Sequence, residues 1–136
     1  MVTLSVLLAT AQSGAAAPED WQRVLDLPGA TVQAATFATA DVAWAAGDGA
    51  LFRSEDRGRT WQVALTSSRF LADIDADSGG LHGWAVGVLG EALYTADGGE
   101  TWIVRDAGSG LNLGLVEVLD ADSAFSLATA AEQVTE

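Results

Sequence analysis

Short apolar stretches recur along this chain, and glycine or acidic residues separate them. The stretches are rich in β-branched and aromatic residues and several alternate between apolar and polar positions, a pattern typical of strands rather than helices. The sequence therefore predicts an all-β protein built from short strands. In the middle of the chain we expect strands at residues 31–37, 42–46, 50–54, 60–65, 70–74, 83–88, 91–95 and 101–105.

One polar motif occurs twice between these strands. It has a hydroxyl residue, an aspartate, a glycine, a threonine and a tryptophan at fixed offsets, in the order Ser/Thr-x-Asp-x-Gly-x-Thr-Trp. Identical offsets in two unrelated hairpins are improbable, so the motif indicates a structural repeat. The first copy consists of Ser54, Asp56, Gly58, Thr60 and Trp61, and the second of Thr95, Asp97, Gly99, Thr101 and Trp102.

Each residue type in the motif has a distinct predicted role. The aspartate can accept hydrogen bonds from backbone N–H groups and so stabilise a tight turn. The glycine supplies a positive φ, and the tryptophan carries apolar surface inward on the next strand. A buried tryptophan covers about 150–250 Å², which is worth about 4–6 kcal/mol gross. We therefore expect the aspartate to set the geometry of the turn and the tryptophan to anchor it.

Two series of aromatic residues follow the same period as the motif. The period is 40–41 residues. Four-stranded antiparallel meanders that repeat at about this period are typical of β-propeller blades. The sequence predicts a partial β-propeller of about three blades within residues 18–136, with whole units at about 30–67 and 68–107 and partial units at both ends. One aromatic series consists of Trp21, Trp61 and Trp102, and the other of Trp44, Trp84 and Phe125.

The partial units leave the assembly open. Residues 21–25 resemble a last strand without a clear partner before it, whereas 115–119 and 124–128 supply two strands after the second whole unit. Because closed propellers have about four to eight blades, an arc of three would expose strand edges. Either these residues are a fragment of a longer protein, or copies form a homo-oligomer through the open edges. In a homo-oligomer, the N-terminal strand of one copy would complete the last blade of another, giving six blades from two chains.

The charge of the chain restricts its partners. It has six arginines, no lysine and nineteen acidic residues, for a net charge of −13. A nucleic-acid surface needs cations that neutralise phosphates, so we expect no nucleic-acid partner. No apolar run reaches the roughly 20 residues that span a bilayer, so we expect no direct membrane span.

Residues 1–17 have two interpretations. Residues 2–9 are apolar and precede three alanines at 15–17, as in a secretory signal. The stretch lacks an initial lysine or arginine, however, and Pro18 follows the candidate cleavage site. Alternatively, residues 3–11 form the first strand. Export to the periplasm or the outside is slightly favoured, and both interpretations stay open.

No constellation of residues predicts catalysis. The chain has no cysteine, which excludes thiolate chemistry, and its one histidine, His82, has no serine or cysteine motif around it. The acidic run at 73–77 has the alternate spacing of a calcium loop, but Ser78 and Trp84 stand where such a loop needs glycine and glutamate. We therefore expect no catalytic residue, no metal site and no cofactor.

The repeated motif resembles the Asp-box, also called the bacterial neuraminidase repeat. Together with Gly83-Trp84-Ala85-Val86-Gly87 and the strand Gly90-x-x-Leu93-Tyr94, it makes residues 20–128 resemble the photosystem II stability/assembly factor family of β-propellers. The resemblance implies that the box is structural and lies at the periphery of each blade. The first copy departs from the pattern, because Arg57 replaces the first glycine of the pair, and the partial units lack the box.

The resemblance implies a non-catalytic binding or assembly module whose propeller face presents loops to a protein partner. Arg53 is the candidate partner-binding residue, because family members often carry a basic residue just before the box. Alternatively, Arg53 forms a salt bridge with Glu55 or Asp56. The second implied function is a fragment of a carbohydrate-active propeller, similar to a sialidase or a glycoside hydrolase, with its catalytic carboxylates on other segments.

Overall fold

The structure, a computed structural model, describes residues 5–9, 21–26 and 31–130. These residues form strands and turns, with one short 3₁₀ turn at Val88–Gly90, and no α-helix occurs among them. The prediction of an all-β fold is confirmed. In chain order the strands are β1 (Ser5–Ala9), β2 (Trp21–Asp26), β3 (Val32–Phe37), β4 (Ala43–Ser54), β5 (Gln62–Ala76), β6 (Gly83–Gly87), β7 (Ala92–Thr95), β8 (Ile103–Val104), β9 (Leu111–Val118) and β10 (Ala124–Ala130).

Strands β3 to β8 form one antiparallel sheet in sequence order. In two places, a pair of predicted strands forms one long strand, β4 or β5. Each long strand changes its pairing partner along its length. β4 pairs with β3 as far as Gly47 and with β5 from Asp48, and β5 pairs with β4 as far as Phe70 and with β6 from Leu71. The long strands therefore contain the predicted segments 42–46 and 50–54, and 60–65 and 70–74.

The polar stretch that the sequence placed between two strands, at residues 66–69, stays extended within β5. Two of its side chains have partners outside the strand: the Ser67 hydroxyl donates to one oxygen of Glu91 at 3.1 Å, and Arg69 binds the other at 3.2 Å. The predicted break between two strands was wrong, because the contacts with Glu91 compensate these two polar side chains for the water that they lose in the fold. Glu91 itself is buried, so the ion pair also neutralises an otherwise costly charge.

The last strand of the second unit is shorter than predicted. The sequence placed it at 101–105, but β8 contains only Ile103 and Val104. The backbone N–H and hydroxyl of Thr101 both donate to Asp97, so this residue belongs to the preceding turn instead of the sheet.

The remaining strands form two separate hairpin sheets. β1 and β2 are antiparallel partners, with Ala9 opposite Trp21, so the expectation that residues 21–25 lack a clear partner was wrong. β9 and β10 pair with each other, and β9 lies against β5, where Asp73 and Asp75 accept hydrogen bonds from the N–H groups of Val116 and Val118 at 2.9 and 2.7 Å.

The principal core lies between the two whole units. Each unit contributes one apolar sheet face, so stacking of neighbours buries what a single unit would expose, as in other repeat proteins. A second apolar cluster lies between the second unit and β9, and consists of Val86, Ala92, Leu113 and Val116 with Trp84 beside them. The principal core contains Ala38, Trp44, Ala46, Leu51, Leu71, Ile74, Ala85 and Leu93.

No helix in the described segments is both long and apolar enough to cross a membrane.

Candidate functional site: the two repeated turns

The first turn is closed by the side chain of Asp56. One carboxylate oxygen accepts hydrogen bonds from the Ser54 hydroxyl and the Thr60 backbone N–H, both at 2.8 Å, and the other accepts from the Thr60 hydroxyl at 2.5 Å. The Ser54 hydroxyl oxygen in turn accepts from the Gly58 N–H at 2.8 Å. The Trp61 indole N–H donates to the Gly58 carbonyl at 2.9 Å. The short aspartate thus bridges the two sides of the turn, and the tryptophan is tied to its end.

The second turn repeats these bonds. Asp97 accepts from the Thr95 hydroxyl and the Thr101 N–H, both at 2.9 Å, and from the Thr101 hydroxyl at 2.5 Å. The Gly99 N–H donates to the Thr95 hydroxyl at 3.0 Å, and the Trp102 indole donates to the Gly99 carbonyl at 3.2 Å. The structure therefore brings all five residues of each motif together with the same geometry.

Hydrogen bonds stabilise the ionised form of both aspartates. The bonds from the hydroxyl and then the backbone N–H of Thr60 lower the pKa of Asp56 to about 2. The equivalent bonds from Thr101 lower the pKa of Asp97. An ionised carboxylate accepts hydrogen bonds and cannot donate a proton, so at neutral pH neither group is suited to act as a general acid.

Two consecutive residues of each turn have left-handed backbone conformations. In the second turn they are Gly98 and Gly99, with φ of 74° and 82°, and in the first they are Arg57 and Gly58, with φ of 64° and 78°. Arg57 is thus a non-glycine residue in a conformation that costs about 1–2 kcal/mol. Its guanidinium lies 2.7 Å from the carboxylate of Asp41 in an exposed ion pair.

The second turn also packs against the first unit. The carbonyl of Gly98 accepts two hydrogen bonds from that unit, from the Trp44 indole at 3.1 Å and from the Arg53 Nε at 2.9 Å. The ring of Trp102 meets Trp44 edge to face. A Cβ at Gly99 would lie 2.4 Å from the Trp44 indole nitrogen, so close packing as well as φ requires glycine there.

Arg53, the candidate partner-binding residue, lies at this contact between units. Besides its bond to Gly98, its guanidinium forms a salt bridge with Glu55, one of the two partners expected from the sequence, and its side chain is only 16% exposed. The geometry gives Arg53 a structural role. Its role in partner binding stays a prediction.

A polar groove of about 450 Å³ lies between the two turns. It has a mostly acidic rim, and the guanidinium of Arg53 is the cationic group in its lining. The arrangement can accept hydrogen-bond donors of a peptide or a sugar. The polar residues that line it are Arg53, Glu55, Asp56, Thr60, Gln62 and Glu100.

The acidic run at 73–77 has structural partners. Asp73 and Asp75 bind the backbone of β9, and Asp77 accepts from the Leu81 and His82 N–H groups and lies 3.0 Å from His82 Nδ1. Burial raises the pKa of Asp77, but the hydrogen bonds from His82 outweigh burial and hold it below the usual value. In the described part of the chain, no group of three or more His, Asp or Glu residues is arranged to hold a metal ion.

Sequence reasoning missed the contribution of Trp44 to the second turn. The residue was recognised as one of a periodic aromatic series, but its hydrogen bond to Gly98 joins residues that lie 54 positions apart. This contact could have been predicted from the two aromatic series, because Trp44 and Trp102 belong to series that have the same period. Stacked repeats bring such series into contact.

Meander units that stack through apolar faces define a protein of the β-propeller class. The chain is homologous to the photosystem II stability/assembly factors. Over 51 residues it is 50% identical to the chloroplastic photosystem II stability/assembly factor HCF136 of Cyanidioschyzon merolae (strain NIES-3377 / 10D), a match that covers 36% of this chain and 12% of that protein. No family model matches the chain.

Solved structures show the same fold. YCF48 bound to D1 peptide superposes with a TM-score of 0.63 at 26% identity, over 72% of this chain and 34% of that chain. YCF48 from Cyanidioschyzon merolae has the same TM-score at 17% identity, over 93% and 49% of the two chains. An ancestral GH74 enzyme also gives 0.63, at 18% identity, over 78% of this chain and 17% of its own. The chain therefore spans less than half the length of each of these proteins.

Proposed function

We propose that this protein is a non-catalytic β-propeller module that binds a segment of a protein partner during assembly of a larger complex. The observation that carries the proposal is the 50% identity to an assembly factor over 51 residues. The structure of YCF48 with a D1 peptide supports it, because that protein binds a peptide and is 26% identical to this chain over 72% of the chain.

Both repeated turns, in this proposal, are Asp-boxes with a structural function. Every carboxylate oxygen of Asp56 and Asp97 accepts a hydrogen bond from its own turn. A catalytic carboxylate would need oxygens that face the substrate and, as a general acid, a pKa near the working pH. The pKa of about 2 for Asp56 is far below that range.

The groove between the two turns is the proposed contact surface for the partner. Arg53 lines this groove together with Glu55 and Glu100. A carbonyl or carboxylate of a bound peptide can approach the guanidinium, while peptide N–H groups or basic side chains can approach the two glutamates. We propose that Arg53 supports binding in two ways, by holding the second turn in place and by lining the groove.

Binding of a fluorescein-labelled D1 peptide, followed by anisotropy, tests this function. We expect a saturable rise for the native sequence, none for a scrambled peptide, and weaker binding by Arg53→Glu. Arg59→Glu is the matched control, because Arg59 is exposed and does not line the groove. If the folded protein leaves the anisotropy of the native peptide unchanged, the proposal that it recognises such a peptide is wrong.

The carbohydrate-active alternative rests on the likeness to the GH74 enzyme, which at 18% identity concerns the fold alone. A glycan array separates the two functions. Binding to immobilised glycans, together with no binding to the peptide, would favour the alternative.

A further inference from the structure

The two hairpin sheets correspond to complementary halves of one repeat unit. In both whole units, the first and second strands pair with a register shift near one end: between Val32 and Ala34 in β3, and between Leu71 and Asp73 in β5. The pairing of β9 with β10 has the same shift, with Leu127 opposite Leu115 and Ala128 opposite Leu113. β9 and β10 are therefore the first and second strands of a third unit.

The β1–β2 hairpin matches the third and fourth strands of a unit. In the first whole unit, Phe52 lies opposite Val63 and Leu51 opposite Leu65, so the register shifts by one residue between them. In the hairpin, Leu7 lies opposite Arg23 and Val6 opposite Leu25, with the same shift. Each partner in β2 precedes its counterpart in β5 by one period of the repeat. In the described residues the hairpin pairs with no other strand, and β9 and β10 are of the kind, first and second, that complete a unit of this type.

Strand β10 has an unoccupied edge and an exposed apolar face. In the described residues it pairs with β9 alone, whereas the equivalent strand β6 pairs on both sides. Phe125 and Leu127 are 50% and 63% exposed. Their counterparts one unit earlier are Trp84 and Val86, which pack in an apolar cluster. An exposed apolar edge strand is a surface that another strand can extend.

A groove lies beside β10, and some of its lining residues are equivalent to the residues of the first unit that contact the second turn. Its volume is about 530 Å³, and Trp84, Tyr94, Arg105 and Phe125 are among its lining residues. Trp84 occupies the repeat position of Trp44, because each precedes an Ala-x-Gly sequence, and Tyr94 directly precedes its turn motif as Arg53 does. Between the whole units, this position receives a turn that is followed by a tryptophan.

We propose that a second copy of this chain covers both the open edge of β10 and the groove beside it. Its β1 pairs antiparallel with β10, and its β2 brings Trp21, at the sequence position equivalent to Trp102, beside the groove. Because the same contact forms twice around a twofold axis, the interface is isologous and closes. Two whole units from each chain and two shared units give a ring of six, which lies within the range of about four to eight blades.

The molar mass of the intact chain, measured by light scattering after size-exclusion chromatography, is the first test. We expect twice the 14.0 kDa of one chain. The double variant Phe125→Asp, Leu127→Asp should weaken the dimer at least tenfold, because it places charges on the pairing strand. Val63→Asp is the control, since Val63 is also exposed but lies on β5, away from this edge.

A disulfide tests the register. Leu93 lies opposite Ala85 in the second unit, and the equivalent positions in the proposed contact are Leu7 and Ser126. A chain with both Leu7→Cys and Ser126→Cys should form a covalent dimer on oxidation, and neither single variant should do so through this pair. The chain has no cysteine of its own to interfere. A native-like monomer, a dimer that does not cross-link at this pair, or a disulfide formed within one chain would each overturn the proposal.

Discussion

Trp44 and Trp102 meet edge to face, with ring centroids 5.3 Å apart and planes at 80°. Trp44 is completely buried and belongs to the first unit, whereas Trp102 follows the turn of the second. The Trp44 indole N–H donates to Gly98 within that same turn. One residue of the first unit therefore contacts both the backbone and the tryptophan of the second turn, and this contact sets how the two units stack.

The glycines of the two turns provide a matched pair of substitutions. Gly58→Ala should destabilise the protein by about 1–2 kcal/mol, because alanine is strained at positive φ. Gly99→Ala should cost about 1–3 kcal/mol more, because its methyl group would also lie 2.4 Å from the Trp44 indole nitrogen. Urea unfolding followed by tryptophan fluorescence measures both. Equal losses would show that the second turn does not pack against Trp44 as described.

Arg57 offers a stabilising substitution. Arg57→Gly should raise the free energy of unfolding by up to about 1 kcal/mol, because glycine adopts a φ of 64° without strain. Loss of the exposed ion pair with Asp41 offsets a small part of this gain. Making the substitution in an Asp41→Ala background removes the offset, so the stabilisation should then be larger. A destabilised protein in that background would contradict the left-handed conformation at this position.

Stability should depend on pH through the aspartates of the turns. The pKa of Asp56 is about 2 in the folded protein, below the roughly 3.9 of an unperturbed aspartate. A group with a lowered pKa stabilises the fold above the unfolded value and loses that contribution as the pH falls through the folded value. We expect the urea midpoint to fall between about pH 4 and pH 2. Asp56→Asn should have a lower midpoint at neutral pH and a weaker pH dependence in this window; an unchanged slope would argue against the proposed bonds.

Arg53→Met tests the structural role of the guanidinium. It removes the bond to Gly98 and the salt bridge with Glu55 while it keeps much of the length of the side chain. We expect a loss of about 1 kcal/mol, because Trp44 still donates to the same carbonyl. Arg59→Met, at an exposed position, should change stability by less than about 0.5 kcal/mol. If the two variants unfold at the same urea concentration, Arg53 does not hold the turn.

The period of the sequence predicted much of this fold, because both whole units have the same turn residues and aromatic positions. The motif located both turns, and local bonds such as that from Ser54 to Asp56 follow from residues close together in the chain. The extended course of 66–69 could not be predicted, because it depends on Glu91, which follows β6 and lies far along the chain. The partner of Gly98 was missed for the same reason.

A double-mutant cycle on Trp44→Phe and Trp102→Leu, measured by urea unfolding, tests the stacking of units most directly. Each substitution removes one side of the contact, so we expect a coupling free energy of about 0.5–1.5 kcal/mol. A parallel cycle with Trp61→Leu is the control, because Trp61 packs in a different cluster from Trp44 and should be additive with it. Stacking of the two units through Trp44 predicts coupling in the first cycle alone. Additive effects in both cycles, or equal coupling in both, would contradict it.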